Sequence, residues 1–255
     1  MLSSILNQNP RFHAGISDPM RSFCHSIYRE TDSGIGFRTQ VSDREKLHLM
    51  RVLFRAYYRN QDAEVCFNTS RSWTSDTALL KQLFPNFRMI VCVRDVLWIL
   101  DSFERLHNKN PHVLKPLYDN QDLETVYDRC NFLMGVGGPG YVAGPLNSLK
   151  QSFACAERDQ ICFIDYDELV QNPNDVMEYV YKFLEEPYFE HDFDNVEANY
   201  DEYDADAKMI GLHEIRKKVQ YEPRRMILPE DVQSFFGPAS SWKNMDKSQL
   251  KWIGR

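Results

Sequence analysis

Three short apolar runs punctuate the chain: Glu64-Val-Cys-Phe-Asn-Thr69, Met89-Ile-Val-Cys-Val-Arg94 and Gln160-Ile-Cys-Phe-Ile-Asp-Tyr166. Each is too short for a helix, rich in β-branched or aromatic residues, and nearly continuous in its apolar character. That pattern predicts parallel strands covered on both faces. Helical spacing fills the intervals. Ser42-Asp-Arg-Glu45 is a capping box, followed by Leu47, Met50, Phe54 and Tyr57 on one face. Leu79, Leu80, Leu83 and Phe84 form a second stripe that stops at Pro85, and Ile99, Leu100 and Phe103 mark a third. Pro145 opens a fourth helix carrying Leu146, Leu149 and Phe153; Asn174 reads as the N-cap of a fifth carrying Met177, Val180 and Leu184. Alternating strands and helices predict an α/β fold in three layers, a mainly parallel sheet with helices on both faces. No internal repeat is visible, and residues 1–255 read as a single domain.

Composition narrows the function classes. The 255 residues are 43% hydrophobic and 26% charged, the profile of one large globular domain. The longest clean apolar stretch, Met89 to Val93, falls far short of the roughly 20 residues of a membrane span. No basic-then-apolar signal peptide opens the chain. Six cysteines show neither CxxC nor zinc spacing, which points to a reducing, cytoplasmic setting and no metal. With 30 basic and 37 acidic side chains the net charge is −7, which disfavours a nucleic-acid partner but not a local basic pocket. The charge is unevenly placed. Residues 185–206 hold ten Asp or Glu and no Lys or Arg, the pattern of a solvated loop, whereas Lys208, Arg216, Lys217, Lys218, Arg224 and Arg225 follow within eighteen residues.

The segment richest in chemistry is Val91-Cys-Val-Arg94-Asp95, which ends a strand and leads into Val-Leu-Trp-Ile-Leu-Asp-Ser102. Open parallel sheets bind ligands at the carboxyl ends of their strands. An arginine there, a helix N-terminus near Trp98 and the Ser102 hydroxyl would converge on one anion. The plainer reading is an Arg94–Asp95 pair capping the helix, with Ser102 on the surface.

V-R-D-x-x-x-x-x-D-S over residues 93–102 resembles the 3'-phosphate motif of sulfotransferases that use 3'-phosphoadenosine 5'-phosphosulfate (PAPS). Further segments resemble the family in order. Phe163-Ile-Asp-Tyr166-Asp-Glu-Leu169, before Asn172-Pro173, is similar to a stretch whose tyrosine lies by the adenine. Phe67-Asn-Thr-Ser-Arg71-Ser-Trp73 is similar to the second strand and its substrate-side loop. Gly211 to Arg216, through Arg224-Arg225 to Pro229, is similar to a late basic segment (208–229 here) that closes over the nucleotide. The likeness spans most of residues 1–235. It is closest to the broad bacterial-type group, with distant kinship to tyrosylprotein sulfotransferases. It implies the three-layer fold of P-loop nucleotide-binding proteins, PAPS as sulfuryl donor, no metal, and Arg94, Ser102, Tyr166, Arg216, Arg224 and Arg225 around the nucleotide. The partners it implies are PAPS, its desulfated product 3',5'-phosphoadenosine, and an acceptor hydroxyl or amine on a small molecule or peptide.

One departure is large. The family's 5'-phosphosulfate loop, P-R-S-G-S/T-T at the end of the first strand, is missing from the 255 residues. Met1 to Pro10 reads like the helix that follows that loop, so the central strand is expected to be missing too. A start placed downstream of the natural one accounts for this more simply than an inactive relative. The expected result is a break between the strands at 64–69 and 89–94. A non-catalytic nucleotide-binding or assembly module that keeps the 3'-phosphate half-site is the alternative function. A kinase would need a G-x-x-x-x-G-K-[ST] loop, which the sequence lacks.

No general base stands out. His13, Asp18 and Arg71 are weak candidates: Asp18 before Pro19 reads as a turn residue, His13 as a hydrogen-bonded loop histidine, and Arg71 faces either a substrate or a surface acid. Gly135 to Gly140 reads as a flexible connection, His191-Asp192-Phe-Asp194 as solvated rather than metal-binding, and Trp73 and Trp98 as core packing. Acceptor specificity is expected in the loops at 16–40 and 107–144.

Overall fold

The three apolar runs become strands of slightly shorter span in the computed structural model, which describes residues 1–33, 35–136, 140–197 and 200–254. Two further strands join them. In chain order they are β1 (Phe12–Ala14), β2 (Val65–Phe67), β3 (Met89–Val93), β4 (Ile161–Asp165) and β5 (Lys251–Ile253). Every pairing is parallel: β1 with β2, β3 with β4 in the register Val91–Phe163, and β4 with β5. The strands make two sheets, β1-β2 and β3-β4-β5, with the break where the sequence led us to expect it. The division separates β2 from β3. There β3 is half-exposed along most of its length, with Cys92 open to solvent, whereas β4 is buried over Ile161–Ile164.

Helices cover both faces. They are α1 (Leu2–Leu6), α2 (Met20–Asp32), α3 (Ile35–Gln40), α4 (Asp43–Tyr57), α5 (Thr77–Leu83), α6 (Val96–Lys109), α7 (Val126–Leu133), α8 (Ala143–Ser152), α9 (Tyr166–Gln171), α10 (Pro173–Leu184), α11 (Asp201–Asp206) and α12 (Glu230–Phe236). The side-chain alternation of β4 divides the core: Ile161 and Phe163 join α6, α7, α8 and α12, while Cys162 and Ile164 join α1, α9 and α10. The second of these cores also takes Phe12, Val65, Phe67 and Ile90, so both sheets share it. A third, smaller core joins α2, α4 and α5 around Met20, Met50 and Trp73. All six cysteines are free thiols.

Local chemistry explains most boundaries. Ser42 and Glu45 form the reciprocal cap of α4. Helix α10 starts at Pro173, with Asn172 rather than Asn174 as its cap, because proline at the first helical position has no N–H to satisfy. Pro145 lies inside the first turn of α8 rather than at its start. Past β5, Gly254 adopts φ +122°, and a Cβ there would lie 2.3 Å from that of Asp165.

The acidic run is not simply solvated. Phe193 and Val196 exchange backbone hydrogen bonds of 2.7 Å with Val219 and Lys217, and Lys218 pairs with Asp194 at 2.6 Å. The buried Asp204 accepts from both the amide and the ring of His213. The acidic stretch is thus strapped to the basic one that follows it.

His191 is buried among Tyr181, Tyr188, Phe189 and Phe193, and burial pushes its pKa down to about 4. The unfolded chain takes up this proton below its ordinary value of 6.5, while the folded chain refuses it until about 4. Folding stability attributable to neutral His191 is therefore complete above about pH 6.5 and falls by about 3 kcal/mol towards pH 4. Urea unfolding across this range should show His191→Phe gaining on the native chain as the pH drops; a constant difference would contradict the assignment.

Candidate functional site

Because all strands run parallel, β3 and β4 deliver their carboxyl ends to the same edge of the sheet. Arg94 leaves β3 there and Asp95 caps α6, accepting from the Leu97 amide at 2.8 Å. Asp95 also accepts from Lys243 and from the Ser240 hydroxyl. Its oxygens are thus engaged elsewhere, and Arg94 makes neither a hydrogen bond nor an ion pair among the described residues. Its Nε is buried without a partner. The guanidinium lies 4.4 Å from the centre of the Tyr166 ring, the first residue after β4.

Helix α6 begins at Val96, two residues earlier than expected, and Ser102 lies in its second turn. Trp98 and Ser102 stand one turn apart on the same face. The late basic segment crosses in front of them. Together Arg94, Trp98, Ser102, Tyr166, Arg216 and Arg224 line one cavity of about 300 Å³, within the range of small-ligand pockets. Five of the six anticipated nucleotide residues meet there. Arg225 does not: its side chain is exposed and its carbonyl accepts from Arg105.

Trp98, expected in the core, instead lines the cavity, with Arg224 5.3 Å from its ring centre. Trp73 is buried as expected. Asp101 stands in the V-R-D-x-x-x-x-x-D-S motif but was given no role by the sequence; it is fully buried and lies against Arg105 and Arg224 at 2.8 and 2.9 Å. Its spacing from Arg105, i to i+4 on one helix, was the only local signal.

The weak catalytic candidates lie elsewhere. Asp18 accepts from the Thr69 amide at 2.6 Å and the Tyr57 hydroxyl at 3.0 Å, while its own amide donates to Thr69, fastening the loops after β1 and β2. His13 lies within β1, edge-on to Tyr58. Arg71 is exposed and donates to the Tyr141 carbonyl. None of the three lines the cavity. Gly135 and Gly140 have positive φ and approach closely, as a turn requires, while 137–139 of that run lie outside the described residues. Among the described residues, no group of three or more His, Cys, Asp or Glu side chains could hold a metal ion. None of their helices is long and apolar enough to cross a membrane.

The family model of the sulfotransferases matches residues 2–190. The chain belongs to the sulfotransferase family. No curated protein matches the sequence. Among solved structures, the sulfotransferase domain from the curacin biosynthetic pathway aligns with a TM-score of 0.47 and 13% identity, over 88% of this chain and 78% of that one.

Four cationic side chains of this sulfotransferase-family chain line the cavity: Arg94, Arg216, Lys218 and Arg224. Burial lowers the pKa of Arg224; Asp101 opposes that shift, and the like charges of Arg94, Arg105 and Arg216 add to it. Arg216 is paired with Glu222 and Lys218 with Asp194. Three carboxylates, Asp167, Glu214 and Glu222, share the lining with these cations, while Asp101, held between Arg105 and Arg224, is not part of it. Chemically, the arrangement offers a planar donor, a hydroxyl and two aromatic surfaces to an anion carrying a flat ring.

Proposed function

We propose that this sulfotransferase uses PAPS as donor and transfers the sulfuryl group to a hydroxyl or amine of a small molecule or peptide. In this reading the cavity receives the 3'-phosphoadenosine portion. Arg94 and Ser102 take the 3'-phosphate, Tyr166 packs by the adenine, and Arg216 and Arg224 add positive charge. The observation that supports it most is the half-buried Arg94 guanidinium, which has no anion of its own and an unpartnered Nε. In the transfer, the acceptor oxygen or nitrogen attacks sulfur, the sulfur–oxygen bond to the 5'-phosphate breaks, and the acceptor's proton passes to a base. Cations stabilise the charge that develops on the departing nucleotide.

Thermal unfolding with added nucleotides tests the reading. At a hundred times its Kd, a ligand specific to the folded state contributes about 2.7 kcal/mol, which raises the melting temperature by several degrees. 3',5'-Phosphoadenosine should give that rise, and 5'-AMP and ATP at the same concentration should give far less. Equal responses to all three would remove the 3'-phosphate assignment. A chain that binds 3',5'-phosphoadenosine but never releases it from PAPS is instead a non-catalytic nucleotide-binding module.

A further inference from the structure

We propose that Asp101 is a positioning residue for the nucleotide, acting through Arg224; this rests on the reading of the cavity as the nucleotide site. Asp101 is 0% exposed. Its Oδ2 accepts from Arg105 Nε at 2.8 Å and lies 2.9 Å from a terminal nitrogen of Arg224. Its Oδ1 accepts from the Ile227 amide at 2.8 Å. Arg105 extends the clamp by donating to the Arg225 carbonyl. Asp101 and Arg105 of α6 together therefore hold three points, Arg224, Arg225 and Ile227, of a segment more than a hundred residues away in sequence.

That segment has little else to hold its backbone. Residues 220–227 form no helix or strand, and among the described residues they make no backbone–backbone hydrogen bond. Met226 and Leu228 anchor the far side in the core. Arg224, one residue from the clamp's first carbonyl, is the side chain that reaches back into the cavity over Trp98. The ion pair with Asp101 keeps the guanidinium beside the indole, with its buried terminal nitrogen making no hydrogen bond among the described residues. Without it, Arg224 lies beside Arg94 and Arg105 with no counter-charge, and repulsion drives it outward. Asp101 thus both neutralises part of the cluster and sets which way the remaining charge faces.

The test is a double-mutant cycle in 3',5'-phosphoadenosine affinity, measured by calorimetry on the full chain. Asp101→Asn preserves shape and removes the charge; its Kd should rise about tenfold. In an Arg224→Ala background the same change should have no further effect, because the partner through which it acts is gone. A purely structural role would lower the melting temperature and leave affinity unmoved, or would lower affinity equally in both backgrounds; either result overturns the proposal. Hydrogen exchange supplies an arm independent of binding. The Ile227 amide should be protected in the native chain and exchange faster in Asp101→Asn. Should that variant not fold, Arg105→Gln, which loosens the same clamp from its more exposed side, should raise the Kd and speed exchange of residues 224–227; no change in either overturns the proposal. If the native chain binds no 3',5'-phosphoadenosine, the nucleotide reading fails first, and the exchange result still shows whether the clamp exists.

Discussion

Replacing Arg94 with alanine should weaken 3',5'-phosphoadenosine binding at least tenfold and leave 5'-AMP binding little changed. The expectation follows from what Arg94 does and does not touch. Its guanidinium packs on Tyr166, yet its Nε is buried and unbonded, and its neighbour Asp95 is committed to the helix cap, to Ser240 and to Lys243. The protein thus spends desolvation on a cation without satisfying it, and a bound phosphate is the group that would do so. Charge-assisted hydrogen bonds contribute about 1.5–3 kcal/mol each, so one lost contact already approaches a factor of ten. The 5'-AMP control matters because it keeps the adenine and lacks the 3'-phosphate. Calorimetric titration of both nucleotides with both proteins decides it, and equal losses for the two would remove Arg94 from the 3'-phosphate. Arg94→Lys should recover only part of the affinity, since a lysine lacks the planar fork and the stacking surface.

The largest stability effect is expected at Arg129. On α7 it meets Glu104 of α6 in a buried two-point contact, Nε to Oε2 at 2.9 Å and a terminal nitrogen to Oε1 at 2.6 Å. Its remaining nitrogen donates to the Leu123 and Glu124 carbonyls. Neither side chain is more than 8% exposed. Arg129→Ala strands the Glu104 carboxylate and two carbonyls inside the protein. Breaking a buried pair from one side costs about 3–5 kcal/mol. For a chain of this size that corresponds to a fall in melting temperature of roughly 10 °C. Replacing both partners with methionine should cost clearly less, because no charge is left unpaired. Thermal denaturation of the three variants tests this; a single variant as stable as the double one would show that Glu104 finds water or another partner.

The sequence made the central parts of the fold legible because their signals are local. The runs at Met89–Val93 and Ile161–Asp165 are apolar on both faces, and Ser42 with Glu45 is a cap complete within four residues. Arg94 was legible because a charged residue ending such a run has one place to go. The strands Phe12–Ala14 and Lys251–Ile253 were not, since three residues carry too little periodicity to separate from a loop. Trp98 was assigned to the core because an indole beside a strand end usually packs there; the Arg224 that makes it a cavity wall lies 126 residues away. Asp101 and Glu104 fail for the same reason. Their partners on the late segment and on α7 are set by tertiary packing, and the motif and the i to i+4 spacing to Arg105 that Asp101 does show point only to its own helix.

The division between β2 and β3 gives the molecule a plane of compliance. Alternate backbone groups of a strand point to opposite edges, so β3 presents one full set of donors and acceptors away from β4. The two sheets meet through the side chains of Phe12, Val65, Phe67 and Ile90 in a shared core, not through a ladder. Hydrophobic contacts resist separation but have no preferred direction, whereas a hydrogen-bond ladder fixes register. Sliding one sheet past the other therefore breaks no backbone hydrogen bond between them. The cavity stands mainly on the three-stranded side of that plane, with Met1 reaching it from the other, where Asp18, Thr69 and His13 ride.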